Sequence, residues 1–131
     1  MDIAIKPIGL IKSDFKVTTD IPRQSIYGKD KKACAIIDEE YALGLQGLQA
    51  GQFIEIVFYF NKSDKAPLLQ YPCCGIEKKG VFSIRSPHRP NHIGISKVKI
   101  LKIEKNIVYF TGVDMLNDTP IIDIKPSIAE I

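Results

Sequence analysis

Hydrophobic and polar positions in this chain alternate mostly with the two-residue period of strands, not the period of helices. Gln52–Phe60 is β-branched and aromatic, begins after Gly51 and stops at Asn61-Lys62-Ser63-Asp64. It reads as a strand buried on both faces over its second half. From Lys97 to Glu104 the polar positions alternate, slip once at Ile100-Leu101, and resume. A one-residue slip turns the buried face over, so a β-bulge or sharp bend is predicted there. Lys105-Asn106 then turns the chain into Ile107–Val113, giving a hairpin. Ile3–Ile11, Ala33–Ile37, Gly80–Ile84 and Pro120–Ile124 are shorter strand candidates.

Only Asp38–Leu48 looks helical: it starts acidic, and Tyr41, Leu45 and Leu48 recur at helical spacing around two glycines. So many strands with one short helix predict a mainly β, single-domain antiparallel β-barrel, since closure removes the exposed sheet edges.

A length of 131 residues, 45% hydrophobic, suits one domain spanning 1–131 that needs no disulfide or metal staple. No apolar run is long enough to cross a membrane. The start, Met1-Asp2-Ile3-Ala4-Ile5-Lys6-Pro7, has neither a basic region nor a cleavage site, so the cytoplasm is the expected compartment. Cys34 and the adjacent pair Cys73-Cys74 make a poor disulfide framework and have no zinc-finger spacing. Convergence of Cys73, Cys74, His88 and His92 on a metal is the minor alternative to ordinary reduced thiols, and no metal is expected.

Charge changes the picture more than composition does. Residues 78–105 carry eight basic side chains against one acidic, a local +7 inside a chain whose net charge is +3. Such a block is either a solvated strand face or the footprint of a polyanion.

No G-x-G and no Walker-type phosphate loop occurs among the nine glycines, and the common hydrolase signatures are also missing. What stands out is Arg85-Ser86-Pro87-His88-Arg89-Pro90-Asn91-His92-Ile93-Gly94. Its two prolines stiffen the backbone, so Arg85 and Arg89 are presented pre-organised, in a form suited to a carboxylate or phosphate. The alternative for either arginine is an ion pair with a local acid, and for His88 and His92 simple exposure on a loop. A second cluster runs from Asp114 through Asn117-Asp118-Thr119-Pro120 to Asp123, with Asp118 and Asp123 best placed to meet the basic loop. A third is Ile21-Pro22-Arg23-Gln24. Taken alone, the second reads as a turn and the third as a surface loop.

These clusters, in this order, resemble the TrmO-type (YaeB/TsaA-like) family of S-adenosylmethionine (AdoMet)-dependent tRNA methyltransferases. Gly80–Gly94 is similar to that family's G-V-F-A-T-R-S-P-x-R-P-N-P-I-G, and Asp114–Pro126 to its D-L-L-D-G-T-P-V-L-D-I-K-P. Ile8–Ser13 and Pro22-Arg23-Gln24 match its I-G-x-I-x-S and P-R-Q. The resemblance implies a barrel in place of the usual Rossmann-like methyltransferase, a homodimer, AdoMet near the subunit interface and tRNA as partner. It implies methylation of N6 in threonylcarbamoyladenosine, next to the anticodon (position 37) of threonine tRNA. Cofactor contacts would fall on Pro22, Arg23, Gln24, Asn61, Lys62, Arg85, Ile95, Leu116, Asn117, Asp118, Thr119 and Pro120. The chain departs from the pattern at Asn61-Lys62 (His-Gln in the family), His92 (Pro), Asp118 (Gly) and Ser127 (Tyr).

Transfer from a sulfonium needs alignment and exclusion of water more than covalent help. An amide-like nitrogen must lose its proton, so the expected catalytic set is Arg85 with His88 or a carboxylate of the Asp114, Asp118 and Asp123 group. Arg89, Lys97, Lys99 and Lys102 are the expected RNA contacts. The competing readings are an AdoMet-binding barrel that senses the cofactor or acts on a small molecule, and an RNA-binding barrel without catalysis.

Overall fold

The computed structural model describes residues 1–15, 31–72 and 75–128. Pro22, Arg23, Gln24, Cys73 and Cys74 lie outside the described residues. Among the described residues eight strands form: β1 Gly9–Lys12, β2 Lys32–Ile37, β3 Phe53–Tyr59, β4 Leu69–Gln70, β5 Lys79–Gly80, β6 Ile93–Glu104, β7 Ile107–Thr111 and β8 Pro120–Pro126. Six of them close a barrel in the order β1-β2-β7-β6-β3-β8, every pair antiparallel, and β4 with β5 makes a separate two-stranded ribbon.

The barrel forms because every second side chain of its strands is apolar and points inward. Ile11, Ala35, Ile37, Ile54, Ile56, Phe58, Val98, Ile100, Val108, Phe110 and Ile121 fill the interior, joined by Val113 and Met115 from the loop after β7. Each large aliphatic buried this way contributes about 1.5–3 kcal/mol of transfer free energy. Gly9 is required where β1 crosses β2, because a Cβ there would sit 2.2 Å from the Ile36 carbonyl oxygen.

The bulge predicted from the slip in β6 is present. Ile100 pairs with Phe110 and Lys102 with Tyr109, which leaves Leu101 as the extra residue. The hairpin follows at Lys105, which adopts φ 55°. Asn106 closes it onto β2, its side-chain amide donating to the Ile37 carbonyl (2.7 Å) and its carbonyl accepting from the Ile37 N–H (2.8 Å).

Other expectations need correction. The helix expected at 38–48 is present but shorter, as a 3-10 helix, Glu39–Leu45, and only Leu45 of it is buried. Asp38 makes no side-chain cap and Gly47 takes φ 100°, so the segment lacks both a start signal and room to continue. Of Gly80–Ile84 only Gly80 belongs to a strand, the short β5. Val81–Ser83 is a 3-10 turn whose Ser83 hydroxyl donates to the Gly80 carbonyl at 2.8 Å. Strand β1 begins at Gly9, and Ile3 and Ile5 stay exposed. In β3 burial alternates to the end, and Tyr59 is exposed. A one-layer barrel wall has one dry face and one wet one.

Candidate functional site

The loop between the 3-10 turn and β6 is held by its own arginine. Arg89 Nη1 donates to the carbonyls of Ile84 (3.0 Å) and Ser86 (3.1 Å), and Nη2 to that of Val81 (3.3 Å). The Ser86 hydroxyl accepts the His88 N–H at 3.1 Å, and the His92 N–H donates to the Arg89 carbonyl at 3.1 Å. His92 takes φ 51° and its Nδ1 lies 3.1 Å from the Pro87 carbonyl, so Nδ1 carries the proton. Gly94, the second residue of β6, lies under the rings of Phe58 and Phe60, where a Cβ would come within 2.6 Å.

The two arginines therefore divide. Arg89, expected to hold an anion, spends its guanidinium on three carbonyls of the loop. Arg85 is exposed, and among the described residues it has neither hydrogen bond nor ion pair. An anion meeting this loop finds an Arg85 fork that no described residue uses.

His88 points its Nδ1 at the Ser63 hydroxyl, 2.6 Å away, and its carbonyl accepts from the Gln70 amide at 2.6 Å. Partial burial pushes its pKa below the ordinary imidazole value, and Lys65 and His92 push the same way against Asp64. The ring is neutral at physiological pH. With Nδ1 engaged, Nε2 is the nitrogen left for a ligand.

The loop before β8 is pinned by the neighbouring strand instead. The Ser13 hydroxyl donates to the Met115 carbonyl (2.8 Å), and the Asn117 side-chain oxygen accepts the Ser13 N–H (3.0 Å). The Asp118 N–H donates to the Ile11 carbonyl (2.7 Å). Asp118 adopts φ 68°, a left-handed conformation that Asp tolerates better than most residues, and its carboxylate pairs with Lys12. Thr119 is buried, its hydroxyl closing the turn onto the Leu116 carbonyl at 2.7 Å. Leu116 packs against the core. Asp114 accepts a hydrogen bond from buried Ser96, and Asp123 is paired with Lys125 at 2.8 Å, raising the lysine pKa.

A groove of about 420 Å³ takes in the end of the first loop, at Asn91, and the start of β8, at Pro120, while Arg85, His88 and Arg89 are not in its lining. It is lined by Ile3, Ile5, Pro7, Tyr59, Ile93, Pro120 and Ile122, with Asn61 and Asn91 as its amide-bearing residues. Asn61 and Pro120, both expected cofactor contacts, are thus brought together. Lys62 and Ile95 are exposed, and neither they nor the residues 116–119 line the groove. Ser13, Lys12, Ser63, Gln70 and Ser96 were not singled out as site residues from sequence. Lys12 and Ser13 had a signal, since they sit inside the matched N-terminal motif; the others had none.

Among the described residues no group of three or more His, Cys, Asp or Glu could hold a metal, and no helix is long and apolar enough to cross a membrane. Burial pushes the Cys34 thiol pKa up, against the opposing effect of Lys12, so it is no ready nucleophile.

Known proteins are similar to this chain over nearly its whole length. An S-adenosyl-L-methionine-binding protein of Archaeoglobus fulgidus is 39% identical over 127 residues, covering 97% of this chain and 91% of that protein. The human tRNA (adenine(37)-N6)-methyltransferase is 38% identical over 137 residues, 98% of this chain but 31% of the human protein. The crystal structure of TrmO from Pseudomonas aeruginosa superposes with a TM-score of 0.80 at 29% identity, covering 98% of this chain and 57% of that one. The chain thus spans little more than half of the solved TrmO structure and about a third of the human enzyme. The family model for the tRNA-methyltransferase O N-terminal domain matches residues 10–131, and the chain belongs to that family.

Proposed function

We propose that this chain is an AdoMet-dependent methyltransferase that modifies N6 of adenosine 37 in tRNA, acting on the threonylcarbamoyl form in threonine tRNA. Its relatives carry AdoMet binding and tRNA (adenine(37)-N6)-methylation in their names. The observation that carries the reading is the split between the two arginines: Arg89 fixes the loop, and Arg85 is held ready for an anionic group.

The residues present suit the cofactor. Asn61 and Asn91 offer donors and acceptors in a largely apolar groove, whose size falls in the range of small-molecule sites. Arg85 is a partner for a carboxylate. When bound, AdoMet supplies a methyl group on a good leaving sulfur. The chain's own work is to orient that group against the adenosine nitrogen and keep water out. The nitrogen's proton needs an acceptor, and neutral His88, through Nε2, and the Asp118 carboxylate are the two groups offered. The chain acts as a homodimer in the cytoplasm, and Phe82, 82% exposed beside the loop, suits a subunit contact.

Incubation with methyl-labelled AdoMet and tRNA, with and without threonylcarbamoylation, tests this directly. Label in the modified tRNA alone is expected. Retention of AdoMet with no label in any RNA would favour a sensor of the cofactor, the reading that the relatives named only for binding support.

A further inference from the structure

The barrel wall carries a second feature, away from the groove. The register places Phe53, Lys99, Thr111 and Lys32 in one cross-strand row and Lys102, Tyr109 and Cys34 in the next. All these side chains alternate with the buried set, so they face outward. Phe53 is 48% exposed, a large apolar ring with no core to join. Lys97 Nζ lies 5.3 Å and Lys99 Nζ 5.9 Å from its centroid, and Lys102 Nζ lies 4.6 Å from the centroid of Tyr109. The bulge at Leu101 is what makes the second pair. In regular pairing Leu101 would oppose Tyr109 and Lys102 would turn inward; the extra residue sets Lys102 on Tyr109 instead.

We propose that the outer face of β3, β6 and β7 is a stacking platform for single-stranded RNA, with bases on Phe53 and Tyr109 and phosphates on the lysines around them. The proposal rests on the reading of RNA as substrate and adds the mode and place of contact. The rings are two strands and two residues apart, roughly 10 Å or a little more, a span that a few extended nucleotides cover. Lysine stems are flexible, so each ammonium can swing from the ring to a neighbouring phosphate as a base slides over the face. Lys32, Lys97, Lys99 and Lys102 stand against Glu55, opposite Lys97, and Glu104, paired with Lys102 at 3.1 Å. The face stays net positive, which favours a polyanion over an apolar partner. Aromatic rings interleaved with lysines are the chemistry of sequence-tolerant strand binding.

The test uses a short fluorescent oligoadenylate, the full chain, and labelled methyl transfer to tRNA in parallel. Phe53→Ala weakens oligoadenylate binding about tenfold, Phe53→Leu, which keeps apolar bulk without a ring, about fivefold, and Phe53→Tyr leaves it unchanged. Lys97→Gln with Lys99→Gln flattens the dependence of affinity on salt. Equal binding by wild type and Phe53→Leu, with methylation intact, overturns the platform and leaves the substrate reading standing. A wild type that neither binds oligoadenylate nor labels tRNA overturns both. A Phe53→Ala variant that changes sedimentation but not RNA affinity gives the face to a second copy of the chain and overturns the proposal.

Discussion

Two loops lead into strands that line the groove, at Asn91 and at Pro120, and they are held in different ways. The proline-arginine loop, 84–92, is tied by its own Arg89, whose three donated bonds all end on carbonyls of the same stretch of chain. The turn 114–119 is tied from outside, through Ser13 and the carbonyl of Ile11 at the end of β1. The first loop thus rests on its own arginine, with Ser63 and Gln70 reaching in only to His88. A loop tied to a strand depends on the barrel's register and shares its stability.

The sharpest way to break the comparison is at Arg85, because nothing in the described fold uses it. Arg85→Ala lowers kcat/KM for methyl transfer about 100-fold or more, as loss of a charge-assisted contact to a ligand does, and leaves the melting temperature within about a degree. Calorimetric titration with AdoMet alongside thermal unfolding checks both halves. A variant with wild-type turnover would remove Arg85 from the site.

Arg89→Ala comes next, and its signature is different. Three carbonyls lose a charged donor, and water replaces it only in part because Arg89 is half-buried. The loop loosens, transfer drops about tenfold, and unfolding costs about 1–2 kcal/mol less. Arg89→Lys rescues little, because one ammonium cannot span carbonyls from Val81, Ile84 and Ser86 at once. Hydrogen exchange confined to residues 81–92 is the readout that separates this from a general loss of stability.

That contrast also shows why parts of the molecule were legible in the sequence and parts were not. The wall was readable because a one-layer barrel writes its inside and outside as strict alternation, down to the slip at Ile100-Leu101. Val81–Ser83 misled because its apolar residues look like a strand, while what shapes it is a guanidinium eight residues further on. Periodicity carries no record of such a bond. Arg85 and Arg89 read as equals for the same reason: the sequence shows two cations on a stiff loop, and only the geometry shows that one is already spent. Ser63 and Gln70, which hold His88, come from segments with no pattern at all.

On the other loop the effects are smaller. Ser13→Ala removes the bond to Met115 and an acceptor for the Phe15 N–H, and lowers stability by about 1 kcal/mol. Denaturant unfolding measures it, and AdoMet affinity falls in step because the turn before Pro120 is released. Asp118→Gly is nearly neutral, within about 0.5 kcal/mol. The exposed pair with Lys12 is worth little, and glycine takes φ 68° without cost.

The smallest effect is a titration. His88 has a folded-state pKa below the ordinary imidazole value of 6.5, chiefly because it is partly buried. The unfolded chain therefore takes up a proton first as pH falls, and where the unfolded state binds more protons, stability rises with pH. The contribution of His88 is fully present above pH 6.5, shrinks as pH drops toward the folded-state value, and is constant below it. His88→Gln keeps a hydrogen-bonding group near Ser63 but cannot titrate, so its unfolding midpoint should be flatter than wild type as pH falls below 6.5. If His88 is also the proton acceptor, the acid limb of the transfer rate moves to lower pH than a free imidazole would give, and the variant loses that limb. A wild-type rate whose acid limb survives in His88→Gln assigns the proton to Asp118, and so to the loop that β1 holds.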